Sequence, residues 1–196
     1  MNPEFINAFN TLTLRCDNHS DPSIQAWNQA DNYLLNMLQQ HLLAHPEHHN
    51  NVAIINDDWG ALSIATAQFS PYIYSDSAIF NRWLTLNTKP LNISLPVNSI
   101  ADIIHTKAKV VLLKLPKTLD FYEHILHLLS QLDDITIYVA GMQKYWPSSF
   151  YKVGEKYFNE SHSFEGIKKA KCVRLSAGKK MPLPSITTQL NLDEFS

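Results

Sequence analysis

The sequence predicts an α/β fold built on a mostly parallel twisted sheet with helices on both faces. Short apolar runs such as Val52–Ile55 and Lys109–Leu113 alternate with segments of helical periodicity. A strand apolar on both sides has no face for water, which is the condition of a parallel strand lying between two helix layers. The length of 196 residues and the 45% hydrophobic content suit one domain with a sizeable core.

The elements follow in order. Trp27, Ala30, Leu34, Leu35, Leu38 and Leu42 recur at helical spacing, and Asp21-Pro22 supplies a start, so a helix is expected from about Pro22 to His41. Val52–Ile55 is the first strand, and Ala61–Gln68 the helix behind it. Pro71–Tyr74 reads as a second strand, followed by helix from Ala78 to Asn87, and Ile93–Leu95 as a third strand. Lys109–Leu113 is the clearest buried strand and is closed by Pro116. An amphipathic helix is expected from Thr118 to Leu132, a fifth strand over Ile135–Ala140, a helix from Pro147 to Phe158 and a late strand over Lys171–Leu175. Val52–Ile55 is expected at the centre of the sheet with Lys109–Leu113 beside it. From Met181 the pattern dissolves into Pro182, Pro184 and a polar tail, so residues 1–180 read as the domain and 181–196 as a linker.

The turn Asn56-Asp57-Asp58-Trp59-Gly60 stands where α/β domains cradle a nucleotide cofactor, using several glycines for close backbone approach. Only Gly60 is present, and bulky Trp59 precedes it. The turn has the outline of a cofactor loop without its working parts.

No apolar stretch nears the roughly 20 residues that span a bilayer, and Met1-Asn2-Pro3-Glu4 lacks the basic start of a secretory signal. Cys16 and Cys172 are far apart, with neither a pairing framework nor metal spacing. A cytosolic protein is the expectation. The net charge of −2 hides an asymmetry, because Lys168, Lys169, Lys171, Arg174, Lys179 and Lys180 hold 6 of the 16 basic residues. Such a run suggests phosphate contact, or else a solvated edge strand whose lysines discourage pairing between sheets.

Three stretches then carry a resemblance. Ile24 to Leu35, Ile55-Asn56-Asp57-Asp58-Trp59-Gly60-Ala61-Leu62-Ser63 and Leu113-Lys114-Leu115-Pro116-Lys117-Thr118-Leu119 resemble, in order and spacing, the amino-terminal half of the bacterial 23S ribosomal RNA guanine-N2 methyltransferases, the large-subunit methyltransferase G family. The resemblance implies two methyltransferase-like Rossmann domains in tandem. The second would hold S-adenosylmethionine and an Asn-Pro-Pro-aromatic motif, and the first would be a degenerate copy that helps to hold RNA. The chain would then be a fragment, a noncatalytic RNA-recognition half. Its partners would be ribosomal RNA and a carboxy-terminal catalytic domain, with no cofactor of its own. The alternatives are a structural domain shaping the catalytic cleft and a free-standing methyltransferase.

The residues agree with degeneracy. Methylating an exocyclic amine needs an acceptor to orient the nitrogen, and the corresponding stretch here offers Lys114, a donor without acceptor capacity. Asp57, Gly60 and Asp76 are the vestigial cofactor candidates. Asp76 stands where an acid would hold ribose hydroxyls, but it reads more simply as the cap of the helix starting near Ala78, and Asp57 and Asp58 as turn formers. The basic run, with Lys114 and Lys117 at the former active-site mouth, supplies the RNA candidates. His41, His45, His48 and His49 cluster, the first two four residues apart, as two zinc ligands on one helical face would be. Pro46 interrupts that helix and no cysteine is near, so no metal is expected. His124 and His127 read as a partly exposed helix face.

Overall fold

The computed structural model describes residues 4–16 and 24–182. Seven strands form one sheet in the order β5-β4-β3-β6-β7-β9-β8, and β1 (Glu4–Ile6) and β2 (Thr11–Thr13) make a separate antiparallel hairpin. In the large sheet β3 (Val52–Ile55) pairs in parallel with β4 (Tyr72–Tyr74) and β6 (Val110–Lys114). β4 pairs with β5 (Val97–Asn98) and β6 with β7 (Thr136–Met142), again in parallel. β9 (Ala170–Gly178) is antiparallel to both β7 and β8 (Phe158–Ser163). β3 is therefore an interior strand with β6 beside it, as the sequence predicts.

Side chains alternate across this sheet with period two. Val52 and Ile54 join one core with α1 (Gln29–Ala44), α2 (Ala61–Ala65) and α3 (Ala78–Thr88). Ala53, Ile55, Val111 and Leu113 join the other, with α4 (Leu119–Leu129) and α5 (Ser148–Tyr157). All four residues of β3 are buried. Among the described residues no helix is long and apolar enough to cross a membrane.

Several expectations need correction. The first helix begins at Gln29 rather than near Pro22, which lies outside the described residues. Asn28 accepts from the Ala30 amide and Asp31 reaches back to the Asn28 amide, a reciprocal box that sets the start. Trp27 thus precedes the helix and stacks on Phe5 of the hairpin, centroids 4.8 Å apart. The helix behind β3 ends at Ala65 rather than Gln68, giving way to a 3-10 turn over Ala67–Phe69. The third strand is Val97–Asn98, not Ile93–Leu95. The late strand is longer than Lys171–Leu175 and is not an edge, because polar β8 covers it. That arrangement removes the solvated-edge explanation of its lysines. The expected linker, 181–196, lies outside the described residues from 183 onward.

Candidate functional site

The carboxyl ends of the five parallel strands share one edge, where open α/β sheets take their ligands. A cleft of about 820 Å³ opens there between Asn56 and Asp58 after β3, the segment from Lys114 to Thr118, and Gly141 and Met142 at the end of β7. Phe121, Tyr145 and Phe150 add aromatic wall. At Gly141 a Cβ would lie 2.7 Å from Leu115 Cβ, so only glycine lets the two strand ends approach this closely.

Lys114 closes the floor. It was expected at the mouth as a phosphate contact; it is instead buried, with Nζ 2.9 Å from Asp31 Oδ2 and 3.0 Å from Asp58 Oδ2. Burial alone would pull its pKa down, but the charges of Asp31, Asp58 and Asp57 overcome that and raise it, so the ammonium stays charged. Asp31 is fully buried on the inward face of α1, where burial pushes its carboxyl upward against the pull of Lys114. A buried ammonium held by two carboxylates leaves little to offer an RNA phosphate, and nothing to accept a bond from a base amine.

The turn after β3 is occupied from within. Asn56, at φ 60°, takes the left-handed position that suits glycine or asparagine, and donates Nδ2–H to the Lys114 carbonyl at 2.9 Å. Gly60 supplies the second left-handed residue, at φ 88°. Asp57 is buried and accepts from the Gly60 amide (3.2 Å), the Ser63 amide (2.9 Å) and the Ser63 hydroxyl (2.9 Å). Burial, with Asp31 nearby, pushes its carboxyl up to about 6 although Lys114 and Ser63 oppose the rise. Asp57 is thus a turn former that consumes the amides a cofactor loop would present. Trp59 packs edge-on to Trp83, centroids 5.1 Å apart. Asp76 is exposed after β4 and accepts from the Ile100 amide at 3.2 Å. It does not cap α3, as expected; Ser77 does, its hydroxyl accepting from Phe80.

The basic run divides. Because β9 is antiparallel to β7, its start lies at the cleft edge: Ala170 faces Met142, and the Gln143 amide donates to the Lys169 carbonyl at 2.7 Å. Lys168 and Lys169 are exposed at a two-residue hairpin turn, both with positive φ (46° and 67°), closed by paired Ile167 and Ala170 bonds of 2.9 and 2.8 Å. Lys171 follows at this end, near Tyr151. Arg174 lies halfway along the strand, opposite Tyr138 and His162. Lys179 and Lys180 are at the far end, where Lys179 donates to the Glu155 carbonyl and Lys180 pairs with Asp133. Lys117 lines the cleft. Lys144 sits 4.6 Å from the Tyr145 ring centroid, and Tyr145 is 61% exposed.

Sequence reasoning missed Asp31, Phe121, Lys144 and Tyr145, and read Asp58 as a turn former without its ion pair to Lys114. For Asp31 a signal existed, a carboxylate among Ala30, Leu34, Leu35 and Leu38 on the apolar stripe. His41, His45 and His48 meet at the other end of α1, while His49 turns to the Pro46 carbonyl and to Phe69. His124 is exposed, and His127 is half-buried against Tyr157.

Counted from Val52 the strand order is 3-2-1-4-5-7-6 with the seventh strand antiparallel. The chain is similar to the T. thermophilus 16S rRNA N2 G1207 methyltransferase (RsmC), solved with AdoMet and guanosine, at a TM-score of 0.64 and 11% identity over 88% of this chain and 49% of that one. The fold is a Rossmann-like methyltransferase fold. Among curated relatives, the ribosomal RNA large subunit methyltransferase G of Vibrio vulnificus is 30% identical over 192 residues, 93% of this chain and 50% of the relative. That of Psychromonas ingrahamii is 27% identical over 208 residues, 100% of this chain and 53% of the relative. The chain spans about half the length of the curated relatives it matches. With a family model matching residues 2–179, the chain belongs to the RLMG N-terminal domain family.

Proposed function

We propose that the chain is the noncatalytic, RNA-recognition half of an S-adenosylmethionine-dependent 23S rRNA guanine-N2 methyltransferase. The observation that carries this reading is Lys114, buried between Asp31 and Asp58 at the strand end where an amine-orienting acceptor is needed. Asp57 supports it by taking up the amides of the turn. The chain therefore binds no cofactor, works in the cytosol on ribosomal RNA, and leaves the chemistry to a carboxy-terminal catalytic domain.

RNA contact falls to the cleft edge. Lys117, Lys168, Lys169 and Lys171 supply positive charge there, while Arg174, Lys179 and Lys180 lie along or beyond the strand. Neutralising a phosphate releases condensed counterions, giving about 0.7 unit of slope in log affinity against log salt per contact on single strands.

The test measures binding of one single-stranded 23S rRNA fragment across several salt concentrations. Changing Lys168, Lys169 and Lys171 together to Gln is expected to lower the slope by about two units. Changing Lys179 and Lys180 to Gln is expected to leave it unchanged. Equal effects from the two variants, or none from the first, would reject this face. Calorimetric titration with S-adenosylmethionine to about 1 mM, equivalent to about −4 kcal/mol, is expected to give no heat of binding; micromolar affinity would reject the noncatalytic reading.

A further inference from the structure

At the end of α1 remote from the cleft the chain reads His45-Pro46-Glu47-His48. Proline has no amide hydrogen to continue α1, and a 3-10 turn over Pro46–His48 begins instead, the His48 amide donating to the His45 carbonyl at 3.0 Å. Three residues per turn eclipse side chains at i and i+3. The rings of His45 and His48 accordingly lie one over the other, centroids 5.2 Å apart and planes 16° from parallel. Glu47 brings Oε1 to 3.4 Å from His45 Nδ1 and 3.8 Å from His48 Nε2, and the three atoms lie within 4.8 Å of one another. Behind them His41 places Nε2 3.0 Å from His48 Nδ1 and Nδ1 3.3 Å from the Tyr138 hydroxyl.

We propose that His45, Glu47 and His48 form a zinc site, with His41 as a positioning residue. This differs from the expectation of no metal, and from the helical pair first considered: His41 is buried and turned to His48, so the ligands come from the turn. Zinc binds imidazole nitrogen and carboxylate oxygen at about 2.0–2.2 Å in a tetrahedron, which sets its ligands about 3.3 Å apart. Two edges of the triangle are already near that length. The third closes by rotation of the exposed His45 ring, with His48 held by His41.

The second layer argues the same way. A metal-binding histidine usually engages its other nitrogen with a fixed partner, which sets the tautomer and aims the ring. His41 does this for His48, and Tyr138 ties His41 to the sheet. Two imidazoles select a borderline ion such as zinc over calcium or magnesium, which prefer oxygen. Three protein ligands leave the fourth position open to solvent. Bound metal would staple the end of α1 to the turn that leads into β3.

The test uses the full chain without a polyhistidine tag, stripped by chelator and titrated with zinc against a chromophoric competitor. One equivalent is expected to bind, and cobalt in its place should give the visible absorption of a tetrahedral ion. Glu47→Gln and His48→Gln should each weaken binding at least about tenfold, and His41→Gln about 10- to 100-fold. His49→Ala, outside the ligand set, should change it less than about twofold, on the same order-of-magnitude reasoning. Zinc should raise the melting temperature of the parent chain and not that of Glu47→Gln, an exposed change that keeps the test usable should His48→Gln fail to fold. Absence of stoichiometric binding overturns the site in favour of a histidine–carboxylate cluster without metal, as does binding that survives Glu47→Gln or falls equally with His49→Ala.

Discussion

Replacing Lys114 by Met removes a charge of nearly the same shape as its substitute. The ammonium lies 2.9 Å from Asp31 and 3.0 Å from Asp58. At an effective dielectric constant of about 20, the Asp31 pair alone has a gross attraction of roughly 6 kcal/mol. Desolvating the two ions offsets most of that, so the pair as a whole contributes little relative to an apolar pair. Removing one member is different, because Asp31 is fully buried and keeps only the Asn28 amide on Oδ2, while Oδ1 has no hydrogen-bond partner among the described residues. Lys114→Met should cost about 3–5 kcal/mol. Adding Asp31→Leu removes the stranded carboxylate and loses one capping bond worth about 1 kcal/mol, so the double variant should be the more stable of the two. Without the ammonium, burial, aided by the Asp58 charge and opposed only by the Asn28 amide, raises the Asp31 carboxyl further. An acid whose folded pKa exceeds its unfolded one binds protons preferentially when folded, so Lys114→Met should regain stability as pH falls from about 7 toward about 4. Urea unfolding followed by circular dichroism reads all three chains. A single variant within about 1 kcal/mol of the parent, or a double variant as costly as the sum of its parts, refutes the buried-pair argument.

Two further changes test neighbouring features. Asp57 rises from 3.8 to about 6 on folding, so it favours the folded state fully below about pH 4, and that contribution is lost as pH rises through about 6, amounting to about 3 kcal/mol. His41, lowered from 6.5 to about 4 chiefly by burial, runs the other way, so the quantity to measure is the difference between Asp57→Asn and the parent. That difference should shift toward the variant as pH rises from about 4 to about 7, and a flat difference would remove Asp57 from the pH response. The Lys168-Lys169 turn has both residues at positive φ, the geometry of a type I′ hairpin that Asn-Gly fits best. Changing the pair to Asn-Gly should stabilise the chain by about 1–2 kcal/mol in thermal or urea unfolding while weakening RNA binding. A loss of stability would argue against the turn geometry, and unchanged RNA affinity would separate these lysines from the proposed RNA face.

How far the chain was readable depended on whether the signal was local. Val52–Ile55 and Val110–Lys114 are buried on both faces, so composition alone announced interior parallel strands, the second expected one residue early at Lys109–Leu113. β8 could not be read this way, because an edge strand with five exposed residues out of six has no apolar face and takes its conformation from β9. The hairpin of β1 and β2 has only three residues per strand, too few for periodicity, and Phe5 earns its buried place through Trp27, distant in sequence. The site followed the same rule. Trp59 beside a lone glycine marked the turn as altered, yet the reason Lys114 is tolerated there lies in Asp31, 83 positions earlier on another element. The basic run is spread out for a topological reason: contiguous in sequence, its residues lie along a strand that spans the sheet from the cleft edge to the opposite edge. A strand rises about 3.3 Å per residue, so Lys169 and Lys179 are separated by roughly 30 Å. An RNA strand crossing the cleft edge would meet the first group of lysines, and the second already has Glu155 and Asp133 for partners. Charge density along a sequence becomes charge density on a surface only where the chain turns back on itself, which here is the hairpin carrying Lys168 and Lys169.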